Sequence, residues 1–237
     1  MKKIGLLLLL PLLLTACGTS PKQIVNEAIE KLELVDTYQE KLTAKEEVKV
    51  LNKVNKRTIT WTKEKDLENQ VEKINTKVTK NKELLEQKEY YYDVKKKMMY
   101  LQDNITNEWQ KEKEKNQDLL DYSILIAKDV EVEEVKTNQT GIRKYKIELS
   151  EEDMKRLFYR DINDEYISMI INQPGTVYLS VSTTTGYLTQ IDIDLSDIVD
   201  MQDPDSSCEK MKLEIKYQEY NNLDPIEIPD YVLKTAQ

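Results

Sequence analysis

Cys17 is the residue whose type and position specify chemistry most directly. It follows Leu14-Thr15-Ala16, which lies behind an apolar run from Ile4 to Leu14 broken only by Gly5 and Pro11, with Lys2 and Lys3 in front. A positive start, an apolar stretch and a small-residue cut are the parts of an export signal, in that order. The stretch is shorter than the roughly 18–20 residues that span a bilayer, so it reads as a removable signal and not as a membrane helix. The four residues ending on Cys17 resemble the bacterial lipobox, whose thiol takes diacylglycerol and acyl chains such as palmitate. Thioether formation needs a sulfur nucleophile, and only Cys17 supplies one there. The expected organisation is a signal peptide over 1–16, a lipidated Cys17 with a short tether over 17–20, and one domain over 21–237.

Other chemistry is largely excluded. The chain has no histidine, which removes Ser-His and Cys-His nucleophilic systems, imidazole ligation of metals and the usual general base near neutral pH. Its five glycines form no nucleophile elbow, phosphate loop or dinucleotide fingerprint. No S-x-x-K motif stands out, and the abundant carboxylates single out no acid–base pair. Asp192, Asp194, Asp197, Asp200, Asp203 and Asp205 crowd one segment. Asp192 and Asp194 alternate with Ile191 and Ile193 as a solvated strand face does, and the run lacks the Gly and closing Glu of a calcium loop. The expectation is no enzyme, no cofactor and no metal.

Charge bears on the partners. The net charge is −9, and loss of Lys2 and Lys3 with the signal makes it more negative by two. This balance excludes nucleic acid, whose binding needs clustered Lys and Arg. It also predicts that lipid on Cys17, and not charge, holds the domain to its membrane, with two acyl chains enough for a stable anchor. With Cys17 modified, Cys208 has no intramolecular partner, so the fold rests on its own core. About 220 mature residues suffice for one such core.

The elements that must position any site follow from periodicity. Ser20 is a candidate N-cap with Pro21 in the first turn, and Ile24, Val25, Ala28, Ile29, Leu32 and Val35 recur at helical spacing. From Tyr38 the period becomes two: Leu42, Ala44, Val48 and Val50 oppose Lys41, Thr43, Lys45, Glu47 and Lys49. Ile59 and Trp61, then Ile74 and Val78, continue this pattern. Lys82–Tyr92 and Met98–Asn104 flank a hairpin turn at 93–96, and Trp109 lies on a further strand. Gln117–Lys128 reads as a short helix. Tyr145, Ile147 and Leu149 make a strand, and Ser150 caps a helix expected over 151–171, with Met154, Leu157, Phe158, Tyr166 and Ile170 on one face. Strands over Val177–Val181 and Ile191–Leu195 flank Thr183-Thr184-Thr185-Gly186, and Met211–Tyr217 alternates once more. Residues 221–237, with Pro225 and Pro229, are expected to trail along an edge. The expected class is α+β: a curved antiparallel sheet, open as an incomplete β-barrel, whose concave face is covered by an N-terminal helix and one or two others.

Aromatic usage is uneven, with 14 Tyr and 2 Trp against one Phe. Tyr suits half-buried strands, and it equally suits the wall of a groove, ring inward and hydroxyl to water. Glu89-Tyr90-Tyr91-Tyr92, Met99-Tyr100 and Glu108-Trp109-Gln110-Lys111, with the ending Tyr217, Tyr220-Asn221 and Ile226-Glu227-Ile228-Pro229-Asp230-Tyr231-Val232, resemble the LolA/LppX/LprG-like lipoproteins, notably their Gram-positive branch. That resemblance implies a lipoprotein at the outer face of the plasma membrane that binds or carries a hydrophobic ligand: an acyl chain, a lipid or a lipoprotein. It carries over no catalytic residues. One-sided alternation makes Val48, Val50, Ile59, Trp61, Tyr90, Tyr92, Trp109, Leu179, Val181, Ile191 and Ile193 the candidate lining of a groove beneath the helices. The alternative is a protein-interaction module at the envelope with the same fold and a filled core.

Overall fold

The computed structural model describes residues 19–102, 106–113, 119–158, 169–201 and 204–236; Cys17, the export signal and Tyr166 lie outside them. Helix α1 (Pro21–Glu30) runs into a single 3-10 turn ending at Glu33. Strands β1 (Thr37–Val50), β2 (Lys53–Asp66), β3 (Val71–Lys80), β4 (Glu83–Asp93), β5 (Met98–Gln102) and β6 (Trp109–Lys113) follow. The chain continues through α2 (Tyr122–Leu125), β7 (Val132–Val135), β8 (Ile142–Leu149), α3 (Glu151–Leu157), β9 (Met169–Ile171), β10 (Gly175–Ser182), β11 (Leu188–Asp194), β12 (Val199–Met201), β13 (Ser206–Gln218) and α4 (Asp230–Thr235).

Eleven strands form one antiparallel sheet in the order β6-β5-β4-β3-β2-β1-β13-β11-β10-β8-β7, while β9 and β12 pair separately. Among the described residues the edge strands β6 and β7 do not pair, so the sheet is open, with helices set against it, as the sequence predicts. The long strands β1 and β13 are central and join the hairpin meander β1–β6 to the C-terminal strands.

The alternation seen in the sequence becomes continuous rows across this sheet. Tyr145, Leu179, Ile191, Ile215, Leu42 and Trp61 are successive cross-strand partners. Two residues along each strand, Ile147, Val177, Ile193, Leu213, Ala44 and Ile59 form the next row. Directly opposed residues share a face, so these rows define one inner face. Val25, Ala28 and Ile29 of α1, with Leu32, Leu125, Met154 and Leu157, complete the core against it. The alternate residues face outward, where Lys144 pairs with Asp192 at 3.5 Å and Lys212 with Asp194 at 2.5 Å. The first two members of the acidic 192–205 segment thus behave as the solvated face that their spacing predicts.

Local contacts fix α1. Ser20 caps it by accepting from the Gln23 amide at 3.2 Å, and Pro21 occupies the first turn. The Lys22 ammonium donates to the carbonyls of Ala127, Lys128 and Val130 at 2.7, 2.8 and 2.8 Å. At the other end Lys31 donates to Thr185 O at 3.0 Å beside Gly186. Gly186 has φ +68°, a left-handed conformation that favours glycine; a Cβ there would meet only the movable end of Lys31, at 2.5 Å.

Three expectations are corrected. The helix over 117–128 shrinks to Tyr122–Leu125, because Leu120 bridges Phe158 and the Asp121 amide donates to Leu157 O at 2.6 Å. The helix expected over 151–171 ends at Leu157: Phe158 turns extended (φ −98°, ψ 113°) to make that bridge, and Met169–Ile171 pairs with β12 as a strand. Residues 230–235 form α4 where an edge segment is expected. Its Val232 and Ala236 are buried against Tyr91, Tyr100 and Trp109.

Candidate functional site

The inner face divides at β1. On the C-terminal side the predicted residues Leu179, Val181, Ile191 and Ile193 are 0–2% exposed and are packed beneath α1 as core. On the N-terminal side, Ile59 and Trp61 of β2 carry the same rows onward and are only half-buried, packed against the edge of that core. Val48 joins this edge, and Val50 emerges to solvent at the end of β1. Cross-strand pairing then extends the face through Thr76 and Val78 of β3 to Lys88 and Glu86 of β4. Next to these, Ile74 faces Tyr90, and Thr76 Oγ1 shares a short hydrogen bond with the Tyr90 hydroxyl. Tyr92 is buried opposite Glu72.

Trp109 stands apart from the other predicted lining residues. It pairs with Gln102, one residue out of phase with the Leu101–Tyr90 pair, and so lies on the outer face. There its ring sits 6.0 Å from Tyr91 and 6.3 Å from Tyr231 of α4. The tyrosine triplet splits by strand parity: Tyr90 and Tyr92 face inward, and Tyr91 faces outward beneath α4.

Charged side chains embedded in the inner face went unremarked in the sequence. Lys63, 2% exposed, follows Trp61 on the same face of β2, and Lys65 follows it in turn. Their ammonium groups lie 3.8 and 3.5 Å from the carboxylate of Glu72. Lys63 Nζ also sits 5.4 Å above the Trp61 ring and Lys65 Nζ 5.7 Å from that of Tyr38, distances at which a ring face attracts a cation. Glu40, also buried, stands across from Lys63 on one side and Tyr217 on the other. Burial, and then the Glu40 carboxylate, push the Tyr122 and Tyr217 phenols well above their ordinary range, and the two hydroxyls share a hydrogen bond of 2.6 Å. The inner face of β1–β4 therefore sets an aliphatic and aromatic strip beside a buried row of compensated charge. The available signal was parity: residues two and four beyond Trp61 must face the way Trp61 faces.

Two surface concavities among the described residues lie elsewhere. An open depression of about 490 Å³ is bordered by Asp129, Glu131, Glu133, Lys146 and Glu148, and one of about 190 Å³ by Asp36, Asp66, Asn69 and Asn221. Both are polar, and neither includes a predicted lining residue. Among the described residues no helix is long and apolar enough to cross a membrane.

Three solved structures resemble this chain. The chain is similar to LprF from Mycobacterium bovis, with 11% identity, a TM-score of 0.44, and 89% of this chain and 96% of that one covered. It is also similar to a β-barrel-like protein of the domain family DUF1849 from Brucella abortus (8% identity, TM-score 0.32, 77% and 96% covered) and to a DUF1329 family protein from Desulfovibrio piger (8%, 0.25, 85% and 92%). No family model and no curated protein matches the sequence. The open antiparallel sheet with helices on its inner face is itself the architecture that the resemblance to LolA/LppX/LprG-like lipoproteins implies.

Proposed function

We propose that this chain is an exported lipoprotein, anchored by diacylglycerol on Cys17 to the outer face of the plasma membrane, whose single domain binds the apolar part of an amphiphilic ligand. The bound group is an acyl chain or lipid, and the inner face of β2–β4 receives it. One observation carries this reading: the apolar rows of the core do not stop at β1 but continue into half-buried Ile59 and Trp61, beside the buried Lys63, Lys65 and Glu72. Such a strip offers an acyl chain an apolar surface and a headgroup a compensated charge. Leu179, Val181, Ile191 and Ile193, offered by the sequence as lining, serve in this reading as the rigid base under α1.

That same burial favours a second reading, an interaction module whose core is filled and whose outer surface docks an envelope protein. Native mass spectrometry of the gently purified, full-length exported protein separates the two. The first reading expects lipid-sized mass adducts that diminish in Trp61→Ala. Bare protein in every preparation, together with a membrane protein retained in pull-downs, establishes the second.

A further inference from the structure

We infer that the tips of the β1–β2 and β3–β4 hairpins form a second membrane contact, which seats on an anionic bilayer surface. The inference stands apart from ligand binding and from the lipid on Cys17.

The two hairpin ends are hydrogen-bonded neighbours. The Asn81 amide donates to Lys56 O at 2.8 Å, and the Lys56 amide donates to Asn81 Oδ1 at 3.1 Å, so the turn at 81–82 is tied to the strand leaving the turn at 51–52. On the two hairpins that meet here, Leu51 and Val54 lie toward the tip of β1–β2 and Leu84 and Leu85 at the start of β4, with Leu84 level with Thr58; they are respectively 69, 43, 56 and 58% exposed. They account for four of the ten large apolar side chains most exposed among the described residues, a clustering that marks an interaction site more than chance exposure does. Leu51 is held there with φ +53°, in the left-handed region that leucine rarely enters, while its amide donates to Asp205 O at 2.9 Å. An exposed leucine fixed outward by its backbone is costly unless something apolar meets it.

Charge identifies the occupant. Lys49, Lys53, Lys56, Lys80 and Lys82 are all exposed at these hairpin ends, where Glu47, Glu83 and Asp205 also stand; Lys56 pairs with Glu47 at 2.8 Å, and the lysines remain in excess. This local basic excess sits on a chain of net charge −9. Apolar side chains ringed by lysines, whose stems reach along an interface while the ammonium groups meet phosphates, match the surface of an anionic bilayer. The overall negative charge predicts no electrostatic hold on the membrane; the local distribution reverses that expectation at this one end.

The strand register agrees. Lys22, in the first turn of α1, binds carbonyls at 127–130, just before β7 enters the sheet level with the Ile147 and Ile59 row, whereas Lys31 binds Thr185 at the opposite ends of the strands. Helix α1 therefore starts toward the end of the strands that carries the tips.

The test uses the full-length exported protein with Cys208→Ser and one new cysteine, Asn52→Cys at the tip or Asn69→Cys at the β2–β3 turn, each carrying a fluorophore. It is reconstituted into phosphatidylcholine vesicles with about a third phosphatidylglycerol, plus a quencher on the lipid tails. The expected result is quenching of the Asn52 label about three-fold or more above that of the Asn69 label, abolished by Leu51→Asp with Leu84→Asp, by Lys49→Glu with Lys53→Glu, or by omitting the anionic lipid. The charge variant tests the proposal separately from the apolar one, and unchanged thermal unfolding verifies each fold. Equal quenching at both labels, or tip quenching indifferent to both variants, overturns it. A labelling ratio of two instead of one reports an unmodified Cys17, which bears on the anchoring proposal and leaves this one to the quenching result.

Discussion

The carboxylate of Asp66 accepts a hydrogen bond from the Ile226 amide at 2.9 Å, joining the end of β2 to the chain 160 residues later. The same carboxylate accepts from the Asn69 amide and side chain at 2.7 and 2.8 Å. Burial alone raises this carboxyl, but the donors at Asn69, Ile226 and Glu68 outweigh it and hold it below its ordinary value of 3.8. Its contribution is therefore complete above pH 3.8 and is lost as pH falls through the lower folded value. Asp66→Ala leaves the buried Ile226 amide without its acceptor and is expected to cost about 2–3 kcal/mol. The segment leading to α4 should loosen first. Limited proteolysis should cut near 223–229 faster in the variant, and Trp109 emission should shift to the red; an unchanged digestion pattern would count against this clasp.

Glu46 behaves in the opposite sense. It is 4% exposed on the inner face of β1 between Met211 and Arg57. Burial pushes its carboxyl up to about 7, with Arg57 only partly opposing the rise. The fold thus prefers the neutral acid: stability is full below the unfolded value of 4.5 and declines as pH rises from there through about 7. At 1.36 kcal/mol per unit, ionisation costs the native state about 3 kcal/mol at the alkaline end. Glu46→Gln removes that slope, so its advantage over the parent should grow by about 2 kcal/mol between pH 5 and pH 8 in urea titrations. Parallel curves would show that Glu46 is solvated.

Much of this arrangement was legible because period-two alternation is a local signal with a global consequence. Tyr145, Ile147 and Leu149 announce a strand and its buried face, and Thr183-Thr184-Thr185-Gly186 announces the hairpin that Gly186 makes at φ +68°. What eluded the sequence depends on contacts distant in the chain. Lys63, Lys65 and Glu72 obey the parity of Trp61, yet their charge reads as a wet face until the neighbouring strand supplies the pair. Phe158 leaves its helix because Leu120, far away in sequence, offers a bridge. Tyr91, Tyr100 and Trp109 make an outer apolar patch that needs a cover, but only tertiary structure selects residues 230–236 for it.

Lys22 should prove a structural lysine. Its three carbonyl acceptors close the chain after α2 onto α1, and charge-assisted bonds are the stronger kind. Lys22→Met keeps the stem and removes the donors, so a loss of about 1–3 kcal/mol is expected in urea unfolding. Lys22→Arg should recover part of it. Faster hydrogen exchange over 124–130 would localise the effect, whereas uniform exchange would place the loss elsewhere.

The division of the inner face at β1 predicts that two substitutions of similar chemistry have separate effects. Leu179 is wholly buried between Tyr145 and Ile191. Leu179→Ala opens a cavity in packed core and should cost about 2–5 kcal/mol, with little change in co-purifying lipid per folded molecule. Trp61 is half-buried at the margin of that core, level with Leu42 on one side and Thr76 on the other. Trp61→Ala removes a larger side chain from a site that solvent already reaches, so its cost in stability should fall below that of a fully enclosed Trp, typically about 3–5 kcal/mol. If the half-buried strip receives the ligand, the lipid adduct in native mass spectra should fall several-fold in Trp61→Ala and persist in Leu179→Ala. The reverse ordering, with adduct lost on opening the core and unaffected at Trp61, would move the binding surface from β2–β4 to the space beneath α1.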